Sequence, residues 1–422
     1  MKETILNHVL AFFRASHDFN GILLSRLAEV MNAELDQVRA TIAELARERK
    51  VTLTFVSYGG NPHIKRLPDL PGDQQLARLQ TESPDATCVY PSTEAIEGST
   101  NLSEYESRPF TRRLARGEPQ LTPVFFELDV LDRYFRDPRY RFRFDDFCGS
   151  IGIVGEHYES AEFAARDKVF LQTFGIGYKQ SRERVVVVYL RYLAGLTAEH
   201  QQIWNAFVVG TPCLMNSDYG QATICGQWPE HYSAYQAFLS EQAEINKLAG
   251  IIGKPPLFKD TFEEERPEGF APMIRPTSRN YDDFVHLLDK LVAENINRNF
   301  FAGDIPLERT VPRSDGAVEI ERPGSLQLLE LWLSSKYRDA AGNDIAREVL
   351  APLRTIRKLR QKPAHALRSD AHDRSLPNQQ DKLLGEACRA LTILRHILWS
   401  HPKARESYAP PDWLDGDQIV FY

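Results

Sequence analysis

The sequence predicts an α+β protein of several domains, on three observations. Apolar residues recur at helical spacing through the first fifty positions and end in a β-branched run. The middle of the chain carries short alternating segments rich in Val, Ile, Phe and Tyr. Four amphipathic helical patterns then follow one another toward the C-terminus. A chain of 422 residues suits two or three domains. Hydrophobic residues at 42% are enough for real cores, and a formal net charge of −7 excludes a protein that coats nucleic acid with its whole surface. Contact with RNA or DNA would need a local basic patch.

Residues 1–70 read as one domain. Ile5, Val9, Leu10, Phe12 and Phe13 give a helix over 4–15, Asn20-Gly21 a turn, and Ile22–Met31 a second helix. Leu35, Val38, Ile42 and Leu45 mark a third helix over Leu35–Lys50. Val51–Val56 reads as a strand, Gly59-Gly60-Asn61-Pro62 as its turn and His63–Leu67 as the returning strand. Three helices and a hairpin resemble a winged helix-turn-helix. That resemblance implies a third helix able to enter a DNA groove, with Arg39, Arg47 and Lys50 as its DNA-contacting candidates. Asp36, Glu44 and Glu48 offset those charges, so dimerisation or docking of a protein partner through the wing stands beside DNA binding.

Residues 68–85, with Pro68, Pro71, Gly72 and Pro84, read as a linker. The central region, 86–265, reads as a mixed α/β module of unassigned fold for sensing or scaffolding. Strands are expected at Thr122–Leu131, Arg139–Phe144, Ser150–Val154, Lys168–Tyr178 and Arg182–Tyr192, with Val185–Val188 in the centre of a sheet. Arg139, Arg141 and Arg143 would share one strand face, the solvated outer one. His157, His200 and His231 lack metal-ligand spacing, and Cys213 and Cys225 have no paired histidines. The glycines of Gly149–Gly155 match neither the dinucleotide fingerprint nor a P-loop. No metal and no cofactor are therefore expected. The five cysteines are scattered without a CxxC pair, which suits reduced thiols in the cytoplasm. No signal peptide and no membrane-spanning run is expected.

Pro267–Pro276 marks a boundary. Beyond it, 278–402 reads as a four-helix bundle: Tyr281–Asn299, Ser325–Tyr337 capped by Ser325, Ile345–Gln361 capped by Asp344, and Gln379–Ser400. Residues 403–422 form a tail. On the third of these helices Val349, Leu353 and Ile356 make an apolar stripe, and Arg360 falls in its centre. An arginine there must reach a partner, a ligand or water, because an unpaired buried charge is costly. Between 347 and 368 stand Arg347, Arg354, Arg357, Lys358, Arg360, Lys362 and Arg368 against one acid, Glu348. His365 follows at the edge of this field, where positive neighbours favour neutral imidazole, a usable base.

Arg360 and His365, separated by four residues near the end of the third long helix, resemble the RxxxxH motif of HEPN ribonucleases. The resemblance covers about residues 280–402. It implies a metal-independent endoribonuclease, of a kind often found as toxins or anti-phage effectors, that dimerises to form a composite cleft. It makes Arg360 and His365 catalytic, with Gln361, Lys362, Lys358 and Arg357 in support or on the RNA. Pro363, inside the motif, should kink the helix. The competing expectation is a winged-helix DNA-binding transcriptional regulator whose helical bundle only dimerises.

Overall fold

The computed structural model describes residues 1–422 except 67–68, 100, 136, 313–317, 339–341, 343 and 362–368, with backbone alone at 58–59, 311–312 and 318–319. The chain is mixed α+β. It divides into two compact units, residues 1–143 with 147–228, and residues 144–146 with 229–422.

The first unit opens with α1 (Lys2–Ala15), β1 (Ile22–Leu23), α2 (Leu24–Met31), α3 (Leu35–Arg47) and β2 (Val51–Phe55). Ile5, Val9, Leu24, Leu27, Val38, Ile42 and Leu53 interlock as a buried core, so the spacing of apolar residues here is the spacing of contacts. The expected hairpin is corrected. Val56–Gly59 makes a helical turn, and β2 pairs antiparallel with β3 (Thr87–Pro91) instead of with His63–Leu67. The strand order is β1-β3-β2. The expected linker is corrected as well: Gly72–Thr81 is helix α4. Leu79 enters the core, and the buried side chain of Gln75 accepts the Leu53 N–H at 2.9 Å while donating to the Leu70 carbonyl at 2.6 Å. A glutamine thus satisfies a strand N–H that periodicity assigned to a neighbouring strand. Pro71 stands immediately before this helix, where a missing N–H costs nothing.

The remainder of this unit holds a six-stranded sheet in the order β4 (Pro123–Phe126), β8 (Arg184–Tyr189), β7 (Phe170–Lys179), β6 (Cys148–Ile153), β5 (Tyr140–Asp145), with β9 (Cys213–Met215) also on β7. Val185–Val188 are fully buried between β4 and β7, as a run of β-branched residues requires. Arg141 and Arg143 lie exposed while Tyr140 and Phe144 point inward. Helix α5 (Ala198–Asn205) brings His200 and Trp204 against Tyr134. The Tyr134 hydroxyl meets His200 Nε2 at 2.5 Å and accepts from Trp204 Nε1 at 2.9 Å, with all three side chains buried.

In the second unit, α6 (Ala234–Ile251), α7 (Ser278–Asp289), α8 (Ser325–Lys336), α9 (Ala346–Gln361) and α10 (Leu376–Trp399) share one core. Helix α6 packs along α10 and so belongs with the C-terminal helices, although the sequence reading put it in the central region. Its buried face is broad, with Tyr235, Phe238, Ile245 and Leu248 all inside. Asp344 accepts the Ala346 N–H at 2.9 Å, as its capping role requires. Ser325 does not cap α8; its hydroxyl donates to the Ala293 carbonyl at 2.6 Å. The tail packs. Asp415 receives the fully buried Arg395 of α10 at 2.5 Å, Arg395 Nε donates to Glu241 of α6 at 2.8 Å, and Ile419–Val420 pair in parallel with Tyr232–Ser233. Burial pushes the Glu241 carboxyl up, against the pull of Arg395.

His200 gives this fold a testable acid sensitivity. Burial lowers its pKa to about 4, against about 6.5 in an unfolded chain. The unfolded state therefore binds the extra proton first, so the stabilisation is complete above about pH 6.5 and is lost as pH falls toward 4. The loss is on the order of 3 kcal/mol. Urea midpoints measured between pH 4 and 7 should fall more steeply for the wild type than for His200→Gln.

Candidate functional site

Helix α9 carries the proposed chemistry, and its local sequence explains its shape. Asp344 caps the start, and Val349, Leu350, Leu353 and Ile356 bury one side. Arg360 continues that side at the helix end, half-buried, and reaches two carboxylates. Its Nη1 donates to Asp289 Oδ2 at 2.5 Å and also to Glu294. Arg357, one turn earlier, brings Nε to 2.9 Å from Asp289 Oδ1, an ion pair without hydrogen-bond alignment. Asp289 is fully buried, whereas Glu294 is 40% exposed. Two acids and two arginines form a cluster of zero net charge.

The backbone explains how one arginine finds both acids. Asp289 ends α7, and Lys290–Glu294 continue as a π-helical turn. In an α-helix, residues five apart diverge by about 140° around the axis. A π turn bonds residue i to i+5, which brings Asp289 and Glu294 back toward one side. Widened turns of this kind recur at functional sites. A carboxylate without water needs strong pairing, and Asp289 has it from two guanidinium groups. The Arg360 hydrogen bond holds the Glu294 carboxyl below the usual carboxylate range.

Of the residues the sequence singled out, the structure brings Arg357 and Arg360 together on Asp289. Lys358 and Gln361 are exposed at the end of the same helix. Lys362, Pro363 and His365 lie outside the described residues. Asp289 and Glu294 were not singled out, although a signal existed. Asp289 stands four after Val285 and three before Val292, an acid inside the apolar stripe of its helix, as Arg360 is a base inside the stripe of α9.

The DNA-contacting candidates are dispersed in role. Arg39 is turned inward and donates to the carbonyls of Leu79 and Glu82, the latter at 3.4 Å. Arg47 and Lys50 are exposed. Beside them Lys2 pairs with Glu44 and Glu48, each at 2.8 Å, so this stretch of α3 presents charge of both signs.

Among the described residues no group of His, Cys, Asp and Glu is arranged to hold a metal, and no helix is long and apolar enough to cross a membrane. Compared with protein-family models, curated proteins and solved structures, the chain matches none.

The two carboxylates should differ in stability measurements. Asp289→Ala removes the shared partner of two arginines that can still reach water, and should cost about 3 kcal/mol in urea unfolding, the lower end for a broken buried pair. Glu294→Gln removes a solvent-screened pair and should cost less than about 1 kcal/mol. Because the folded Glu294 pKa is depressed, that smaller contribution is complete above about pH 4.3 and vanishes as pH falls through the lower folded value.

Proposed function

We propose that this protein is a metal-independent endoribonuclease of HEPN type. The observation that carries the reading is Arg360: an arginine on the buried stripe of a long helix, fixed by a buried carboxylate, five residues ahead of His365. The C-terminal helices α7 to α10 would be the HEPN-like bundle. The 2′-hydroxyl of RNA attacks the adjacent phosphorus, its proton passes to His365, and the P–O5′ bond breaks. The partner subunit's His365 protonates the leaving oxygen as general acid. Arg360 stabilises charge growing on the phosphate oxygens. Arg357, Lys358 and Lys362 draw in the backbone, and Gln361 supports them. The enzyme acts as a cytoplasmic homodimer. A free ribonuclease would damage its host, so the roughly 280 residues that precede the bundle restrain or trigger it, as in a regulated toxin or anti-phage effector.

A second reading, a winged-helix DNA-binding regulator, draws on the three helices and the β1-β3-β2 strand order of the N-terminal segment. The inward turn of Arg39 and the pairing of Lys2 with α3 leave it only Arg47, Arg49 and Lys50 as exposed cations at that helix end. Gel shifts with Arg47→Ala and Lys50→Ala would lose affinity under this reading and stay unchanged under the first.

Purified protein should cleave single-stranded RNA in EDTA, leaving 2′,3′-cyclic phosphate and 5′-hydroxyl ends. Arg360→Ala and His365→Ala should each lower the rate at least a hundredfold, within the range for loss of a general acid–base or an oxyanion partner. Equal cleavage by all three proteins would sink the proposal.

A further inference from the structure

The two carboxylates on Arg360 have opposite access to water. Asp289 has no exposed side-chain surface and is held by Arg357 as well, so it cannot leave the guanidinium without stranding a charge. Glu294 is 40% exposed, and among the described residues its carboxylate accepts a hydrogen bond from Arg360 alone. It can rotate into solvent at small cost. An arginine offers five donors in a fork. Here Asp289 and Glu294 both take Nη1, and no hydrogen bond from Nε or Nη2 is present among the described residues. Among the described residues, a planar edge suited to two phosphate oxygens is therefore uncommitted.

Charge decides what that edge attracts. With Glu294 in place, Asp289 and Glu294 cancel Arg357 and Arg360, and an approaching phosphodiester meets a neutral cluster with a carboxylate beside its landing point. With Glu294 rotated away, the same cluster carries one positive charge. Resting on the ribonuclease reading above, we infer that the carboxylates have separate roles: Asp289 is a fixed positioning residue that aims Arg360, and Glu294 is an internal stand-in for the RNA phosphate that substrate must displace. The π-helical turn of Lys290–Glu294 is what puts this second carboxylate within reach.

The experiment uses the full chain and a single-stranded 2′-O-methyl oligonucleotide, which has no hydroxyl for self-cleavage and so reports binding alone. Fluorescence anisotropy at fixed ionic strength is compared for wild type, Glu294→Gln and Glu348→Gln, the last removing an exposed acid from the same helical unit. Glu294→Gln should bind about five- to tenfold tighter, and Glu348→Gln should stay within about twofold of wild type. On ordinary RNA, Glu294→Gln should lower KM, while Asp289→Asn should lower kcat at saturating RNA more than tenfold in protein shown to be folded by circular dichroism. Unchanged or weaker binding by Glu294→Gln overturns the stand-in, as does an equal gain from Glu348→Gln. An unchanged kcat in Asp289→Asn overturns the positioning role. Tighter binding by Glu294→Gln, with no cleavage by any variant, overturns the ribonuclease reading and leaves the stand-in intact.

Discussion

A carboxylate with no route to water governs the candidate site. Asp289 sits at the end of a helix among Phe284, Val285, Leu288 and Val292, where an unpaired charge would be intolerable. Everything near it answers that constraint. Arg357 and Arg360 are one turn apart on the facing helix, so both can serve the same acid. The facing helix must keep its register, because a one-residue slip would remove both. The stripe of Val349, Leu353 and Ile356 fixes that register from the apolar side. Packing and electrostatics thus specify one alignment of α7 against α9, and Arg360 inherits a defined direction from both.

A second buried charge follows the same logic elsewhere in the unit. Arg395 has no exposed surface and is matched by Glu241 from α6 and Asp415 from the tail. Here too a single guanidinium joins segments remote in sequence. The difference lies in access: Asp415 is partly exposed and Glu241 is buried, so the arginine is gripped from the inside and lidded from the outside. Arg395 and the Arg357–Arg360 pair each tie together elements remote in sequence.

Helical elements were legible wherever their apolar faces were one-sided. Periodicity located α8, α9 and α10 within a few residues but ran α7 on to Asn299, past its end at Asp289, and the Val185–Val188 run announced a sheet centre. Partners were less legible. Nothing in Val51–Phe55 says which strand lies beside it, because pairing is a long-range choice, and Thr87–Pro91 took the place expected for His63–Leu67. The helix of Gly72–Thr81 was hidden by flanking prolines and a polar face whose buried member, Gln75, works by hydrogen bonding. The attachment of α6 to α10 was not visible either, because it too is a long-range choice. At the site, Arg360 stood out as a misplaced charge. Asp289 offered the same clue on its own stripe, while Glu294 offered none, since its reach depends on a π turn that periodicity cannot foresee.

The parallel pairing of Tyr232–Ser233 with Ile419–Val420 joins the first strand of the helical unit to its final residues. Tyr232 also stacks on Trp413 at 3.8 Å between ring centroids. A protein emerging from the ribosome exposes residue 232 long before residue 419, and α6 must wait with a broad apolar face uncovered until α10 and the segment after it arrive. The helical unit therefore completes this pairing only once Ile419–Val420 have been made, whatever part of its core forms earlier.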